Sequence, residues 1–178
     1  MKEMNKIEIT KIDLKEIEQL KIISKQTFFE TFAEGNSEEN MKKYLEESFT
    51  TELLKTELTN PNSEFYFART ENNIIGYLKI NFGQAQSELK DKSTIEIERI
   101  YVLKEFQGKQ IGQVLFNKAF EIAKQINADY LWLGVWEENP RAINFYKKNG
   151  LVEFDKHVFK LGDDEQTDIM MKLQIDNS

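Results

Sequence analysis

The chain has 178 residues, enough for one domain with a real hydrophobic core and short of what two ordinarily need. Hydrophobic residues make up 40% and charged residues 31%, a globular composition, and the lack of cysteine excludes disulfides, thiolate zinc sites and a cysteine nucleophile. Against 31 acidic residues stand 24 Lys and Arg, a net charge of -7, which speaks against nucleic acid as a partner and suits a cationic one or simple solubility.

The opening MKEMNKIEITKI has no apolar core of a secretory signal, and no apolar run approaches a membrane span. A cytoplasmic protein with no membrane partner is expected. With only 8 Gly and 2 Pro, no linker, repeat or low-complexity segment is evident, so residues 1–178 read as one domain, with a tail after about residue 174.

In chain order, Lys6–Lys11 reads as a short strand with Ile7 and Ile9 alternating. Asp13 can N-cap a helix carrying Ile17, Leu20, Ile23, Phe28 and Phe32, and Ser37 starts a second helical stretch with Met41, Tyr44 and Leu45. Glu64–Thr70 and Ile74–Phe82, joined by Glu71-Asn72-Asn73, read as a hairpin, followed by a polar loop from Gly83 to Ser93. Then come a strand Thr94–Val102, a helix Gln110–Asn127, a strand Tyr130–Trp136, a helix Pro140–Asn149, and closing strands Val152–Lys160 and Glu165–Leu173. The strand–helix–strand unit requires a crossover and makes 94–102 and 130–136 parallel neighbours. With hairpins on either side the class is α/β with a mixed sheet.

The segment Gln107-Gly-Lys-Gln-Ile-Gly112 leads from a strand into an amphipathic helix with Ile111, Val114, Leu115, Ala119, Ile122, Ala123 and Ile126 on one face. Such a loop aims backbone N–H groups and a positive dipole end at one point, a pyrophosphate cradle with Lys109 as a nearby cation. An ordinary strand-to-helix turn is the alternative, and neither the dinucleotide nor the P-loop fingerprint is present. In the preceding strand Ile95 and Ile97 have one parity and Ile100 and Val102 the other. Either a β-bulge near Glu98–Arg99–Ile100 intervenes, or the strand is covered on both faces. Asn139, Pro140 and Gly150 punctuate a helix whose Ala142, Ile143 and Tyr146 share a face. By itself Tyr146 reads as a half-buried aromatic with its hydroxyl in water. His157 reads as a structural histidine, and Asp163, Asp164 and Glu165 as a solvated turn or a cation-attracting rim.

These pieces in this order resemble the GNAT superfamily of acetyl-CoA-dependent N-acetyltransferases. IYV ends the strand, QGKQIG matches the Q/R-x-x-G-x-G/A loop, and NPRAINFYKKNGL follows. TFFETFAEGNSEENMKKYLEESF, IIGYLKIN, AQSE, LWLGVWEENP and LGDDEQTDIMM are similar to bacterial spermidine/spermine N-acetyltransferases of the PaiA type. The resemblance implies a GNAT-type mixed central sheet flanked by helices, with a bulged parallel strand at the coenzyme site. Acetyl-CoA is the implied co-substrate, with no metal. Pantetheine would pair with Ile100, Tyr101 and Val102, while Gln107, Gly108, Lys109, Gln110, Ile111, Gly112 and Gln113 hold the pyrophosphate and Asn139 and Tyr146 contact the coenzyme. Gln110 stands where the family has a glycine, which bears on coenzyme affinity because glutamine resists positive φ.

Glu98, with Glu96 behind it, is the implied base that deprotonates the amine, and Tyr146 the acid that protonates the leaving thiolate. A strand N–H near Ile100 would polarise the carbonyl in a direct transfer. Glu30, Glu34, Glu98, Asp163 and Glu165 are the implied contacts of a small polycationic amine such as spermidine or spermine. Transfer to a protein lysine or N-terminus, an amino sugar or an antibiotic is the alternative, as is a non-catalytic acetyl-CoA-binding regulatory module. A homodimer is one assembly open to such a chain.

Overall fold

The computed structural model describes residues 6–71, 73–88 and 93–176. Its strands are β1 (Ile7–Lys11), β2 (Ser63–Thr70), β3 (Asn73–Phe82), β4 (Thr94–Val102), β5 (Tyr130–Trp136), β6 (Val152–Leu161) and β7 (Asp164–Gln174). Its helices are α1 (Ile17–Phe32), α2 (Glu38–Ser48), α3 (Thr51–Thr59), α4 (Ile111–Gln125) and α5 (Pro140–Lys148). The strands form one sheet in the order β1-β2-β3-β4-β5-β7-β6. The β4–β5 pair is parallel, as the crossover demands, and the other neighbours are antiparallel. This is the expected mixed α/β sheet.

Two cores cover its faces. On one, α4 and α5 pack Leu115, Ala119 and Ile143 against Leu78, Ile97 and Leu133. On the other, α1 to α3 pack Leu20, Phe28, Met41 and Leu54 against Phe65, Phe67 and Tyr77. The two cores draw on alternate residues of β2, where Phe65 and Phe67 face one way and Tyr66 and Ala68 the other.

The parity break in β4 is a bulge. Lys79 pairs with Arg99 and the next residue, Ile80, with Ile97, so Glu98 is the extra residue. Its insertion keeps Ile95, Ile97, Ile100 and Val102 all in the core beneath α4, because one added residue restores the parity that a regular strand would lose.

Several boundaries differ from the sequence reading. Asp13 caps a 3₁₀ turn, Leu14–Glu16, accepting from Lys15 N at 2.8 Å, and α1 follows that turn. The second helical stretch, capped by Ser37, is α2, and a further helix that the sequence reading lacks follows it, because Thr50 accepts from Leu53 N at 3.2 Å and starts α3. Ile175 is not part of a tail: it is buried and its N–H donates to Asp129 O at 2.9 Å. Part of the polar loop is built structure, with buried Gln86 accepting from Trp132 Nε1 at 2.7 Å. Asn72 of the first hairpin turn and residues 89–92 of that loop lie outside the described residues.

Candidate functional site

β4 and β5 are paired only from Thr94↔Tyr130 to Ile97↔Leu133, although both strands run on. Past Ile97 they part, and a cleft of about 890 Å³ opens between them and the N-terminal ends of α4 and α5. The bulge at Glu98 stands at the point of parting, where it ends the ladder.

One wall of the cleft is the loop before α4. Gly108 has φ +80° and Gln110 φ +65°, the left-handed conformations that curl the backbone around the helix start. α2, α3 and α5 each begin with a side chain accepting from a first-turn N–H, whereas α4 has no such cap. Its first N–H groups and its dipole suit an anionic ligand. Arg141 reinforces that wall. It donates through Nη1 to Gln107 Oε1 at 2.9 Å, and Gln107 in turn donates to Val102 O at 3.2 Å.

Of the residues expected to hold the coenzyme, Ile100, Tyr101, Val102, Gln107, Gly108, Gln110, Ile111, Gly112, Gln113, Asn139 and Tyr146 line this cleft. Lys109 does not. Its ammonium lies 5.3 Å from the centre of the Phe106 ring, and Arg141 is the cation on the cleft. Asn139 caps α5, accepting from Ala142 N at 3.2 Å. Gln113 donates to Asn149 Oδ1 at 2.8 Å and ties α4 to α5. Tyr146 is buried at the cleft wall beside Phe145, and burial raises its phenol above the ordinary value, which keeps it protonated.

A second cavity, of about 300 Å³, lies on the other face of the sheet under α1 and α2. It shares Phe32, Glu98, Tyr101, Gly134 and Trp136 with the cleft, so the two meet at the strand splay. Four carboxylates, Glu88, Glu96, Glu98 and Asp168, border it, with Phe28, Tyr44, Phe49, Trp132 and Phe159 as aromatic walls. His157 also lines it and is ion-paired with Glu88.

The acidic residues expected at the site divide. Glu98 lines both spaces and is ion-paired with Lys79. Burial pushes its carboxyl up, but Arg99 and Lys79 outweigh burial and hold it below its ordinary value. Glu96 lines only the second cavity and accepts from Asn81 Nδ2 at 3.0 Å, Ser87 N at 2.8 Å and Ser87 Oγ at 2.5 Å. Burial still raises its carboxyl against those hydrogen bonds. Glu30 and Glu34 line the large cleft, and Glu30 accepts from Lys104 N at 3.2 Å. Asp163 and Glu165 line neither space: β6 and β7 turn at Gly162-Asp163, and both acids are exposed there. Asp168, Arg141 and Gly134 are among the lining residues that sequence reading missed. For Arg141 the signal was present, a cation one residue into a capped helix facing the loop.

A helix start with uncapped backbone N–H groups on one side of a parted strand pair and an acidic, aromatic cavity on the other share the wall at Glu98. The chain belongs to the Acetyltransferase (GNAT) family, whose sequence profile matches residues 25–151, and it is an N-acetyltransferase using acetyl-CoA. An uncharacterised N-acetyltransferase from the pepI 3′ region of Lactobacillus delbrueckii subsp. lactis is 42% identical over 95% of this chain and 98% of its own. The spermidine N(1)-acetyltransferase of Thermoplasma acidophilum is 26% identical over 93% of this chain and 96% of its own. The crystal structure of the PaiA N-acetyltransferase from the same organism, in complex with coenzyme A, superposes with a TM-score of 0.78 at 25% identity, covering 95% and 99% of the two chains.

Proposed function

We propose that the chain transfers the acetyl group of acetyl-CoA to a primary amine of a small polycation of the spermidine and spermine class, by direct attack. One observation carries the choice of acceptor: the second cavity, which meets the cleft at Glu98, surrounds its space with carboxylates and aromatic rings. An alkyl ammonium suits such walls, since the charge pairs with carboxylates and ring faces while the methylenes pack on the rings. The likeness to the Thermoplasma spermidine N(1)-acetyltransferase supports the same reading.

In this reading acetyl-CoA supplies an activated thioester at the strand splay. The first N–H groups of α4, with Arg141 beside Gly108, hold the pyrophosphate, and the free edge of β4 at Ile100 to Val102 pairs with pantetheine. Glu98, kept ionised by Lys79 and Arg99, gives the incoming ammonium a fixed negative partner. Tyr146 protonates the departing thiolate.

The test is coenzyme A release from acetyl-CoA across spermidine, spermine, putrescine, a lysine-bearing peptide, an aminoglycoside and a free N-terminal peptide. Spermidine or spermine should give the highest kcat/KM. Tyr146→Phe should lower kcat by about a hundredfold or more with coenzyme A affinity unchanged, because only a hydroxyl is lost. A faster peptide or aminoglycoside rejects the polyamine acceptor, and an unchanged kcat in Tyr146→Phe returns that residue to packing.

A further inference from the structure

Asp168 is one of the carboxylates of the second cavity that the roles above leave unused. It stands on β7 opposite Trp136 of β5 and His157 of β6. Its side chain lies over Gly134, where a Cβ would meet Asp168 Oδ2 at 3.3 Å. Gly134 is the first β5 residue past the last β4–β5 pair, is exposed within an otherwise buried run, and lines both cleft and cavity. Asp168 therefore borders the aperture through which an amine in the cavity reaches a thioester in the cleft.

The other carboxylates are already engaged. Glu96 holds three hydrogen bonds, Glu98 is paired with Lys79, and Glu88 with His157. Among the described residues no hydrogen bond or ion pair engages Asp168. We infer that Asp168 is the catalytic base, the group that takes the proton from the acceptor ammonium at the aperture, while Glu98 holds charge beside it.

The electrostatic surroundings agree. Around the cavity stand Glu96, Glu98 and Arg99 of β4, Glu88 of the preceding loop, His157 of β6 and Tyr44 of α2. Burial raises the Asp168 carboxyl to about 6; His157 pulls it down and Glu88 adds to the rise. A base of that strength is half ionised near pH 6 and accepts a proton more readily than Glu98, which its cations hold low. The step balances. One N–H proton of the ammonium passes to Asp168, the freed lone pair forms the N–C bond, and the C–S bond breaks. Tyr146 gives its proton to sulfur and is refilled by the second proton leaving nitrogen, while Asp168 returns its own to water past the His157–Glu88 rim. The net products are amide, coenzyme A thiol and one proton.

This inference rests on acetyl transfer to an amine, whichever amine that is. The experiment measures kcat/KM against pH for wild type, Asp168→Asn and Glu98→Gln, with spermidine or the fastest amine of the panel as acceptor. Wild type should show an acid limb near pH 6. Asp168→Asn should lose about a hundredfold or more in kcat/KM and lose the limb, whereas Glu98→Gln should be slower but keep it. An Asp168→Asn variant that keeps rate and limb, or a Glu98→Gln variant that loses the limb, overturns the assignment.

Folding is checked by melting. A carboxyl whose folded pKa is raised costs stability above about pH 6 and nothing below its ordinary value of 3.8. Asp168→Asn should thus melt at or above the wild-type temperature at pH 7.5, the gain vanishing toward pH 4. A readout free of turnover is the ¹³C carboxyl titration of aspartate-labelled protein, with Asp168 assigned by its loss in Asp168→Asn. Its inflection should lie near 6 and move down on adding spermidine. An inflection near 4 overturns the inference even if no amine in the panel is acetylated, an outcome that would separately reject the proposed acceptors.

Discussion

At Gln110 the chain departs from what its own backbone asks for. The residue holds φ +65° at the start of α4, a conformation that costs an L side chain about 1–2 kcal/mol and a glycine little. Glycine gives back roughly 0.5–1 kcal/mol through the greater freedom of its unfolded chain. The difference predicts that Gln110→Gly stabilises the fold by about 0.5–1 kcal/mol, seen as a higher denaturation midpoint. It also clears a side chain from beside the N–H groups proposed to hold the pyrophosphate, so coenzyme A should bind more tightly by calorimetry. Weaker binding would mean that the glutamine amide itself grips the coenzyme. The loop was legible because glycine spacing, a helix start and a strand end are all local in sequence. Asp168 was not, since its place comes from Gly134, which lies 34 positions away by number and diagonally across the β5–β7 ladder, two residues from Trp136, the residue paired with Asp168.

β4 and α3 are joined through charge beneath the site. Glu57 of α3 accepts from both Nη groups of Arg99, at 2.8 and 3.1 Å, and lies 3.3 Å from Lys79 Nζ. Lys79 is also paired with Glu98, so the extra residue of the bulge is anchored to a helix of the adjoining layer. Removing Glu57 leaves two largely buried cations sharing one carboxylate. Glu57→Ala should therefore cost about 2–3 kcal/mol in denaturant melts. A loss below about 0.5 kcal/mol would class the pair with surface ion pairs. Sequence parity left the bulge and a doubly covered strand equally open, and only the pairing with β3 decides between them. α3 went unread because the apolar positions read after Ser37 stop at Leu45, and Thr50, two residues past the end of α2, alone marks a new cap. The acids of the last hairpin were misplaced for a related reason. A two-residue turn at Gly162-Asp163 carries them to the exposed tip of the sheet, beyond both spaces.

Over the whole molecule the charge is one-sided, and it meets the acceptor before any single residue does. The net charge of -7 surrounds a cavity bordered by Glu88, Glu96, Glu98 and Asp168, and Glu30 and Glu34 stand on the adjoining cleft. Fields of this kind raise the local concentration of a cation and its encounter rate, and salt screens them beyond about 8 Å at physiological ionic strength. The reacting groups lie inside the fold at short range, where screening is weak. Ionic strength should thus act on capture and leave chemistry alone. With spermidine as acceptor, KM should rise steadily as sodium chloride is added while kcat changes little. The slope should be steeper for spermine, which carries more charge, than for a simple monoamine. Sucrose at matched osmolality separates screening from a general solute effect, because it leaves the field intact. If a neutral or anionic amine outperforms spermidine and its KM ignores salt, the polycation acceptor is wrong. Acetyl transfer would then remain, with the acidic cavity serving a single ammonium.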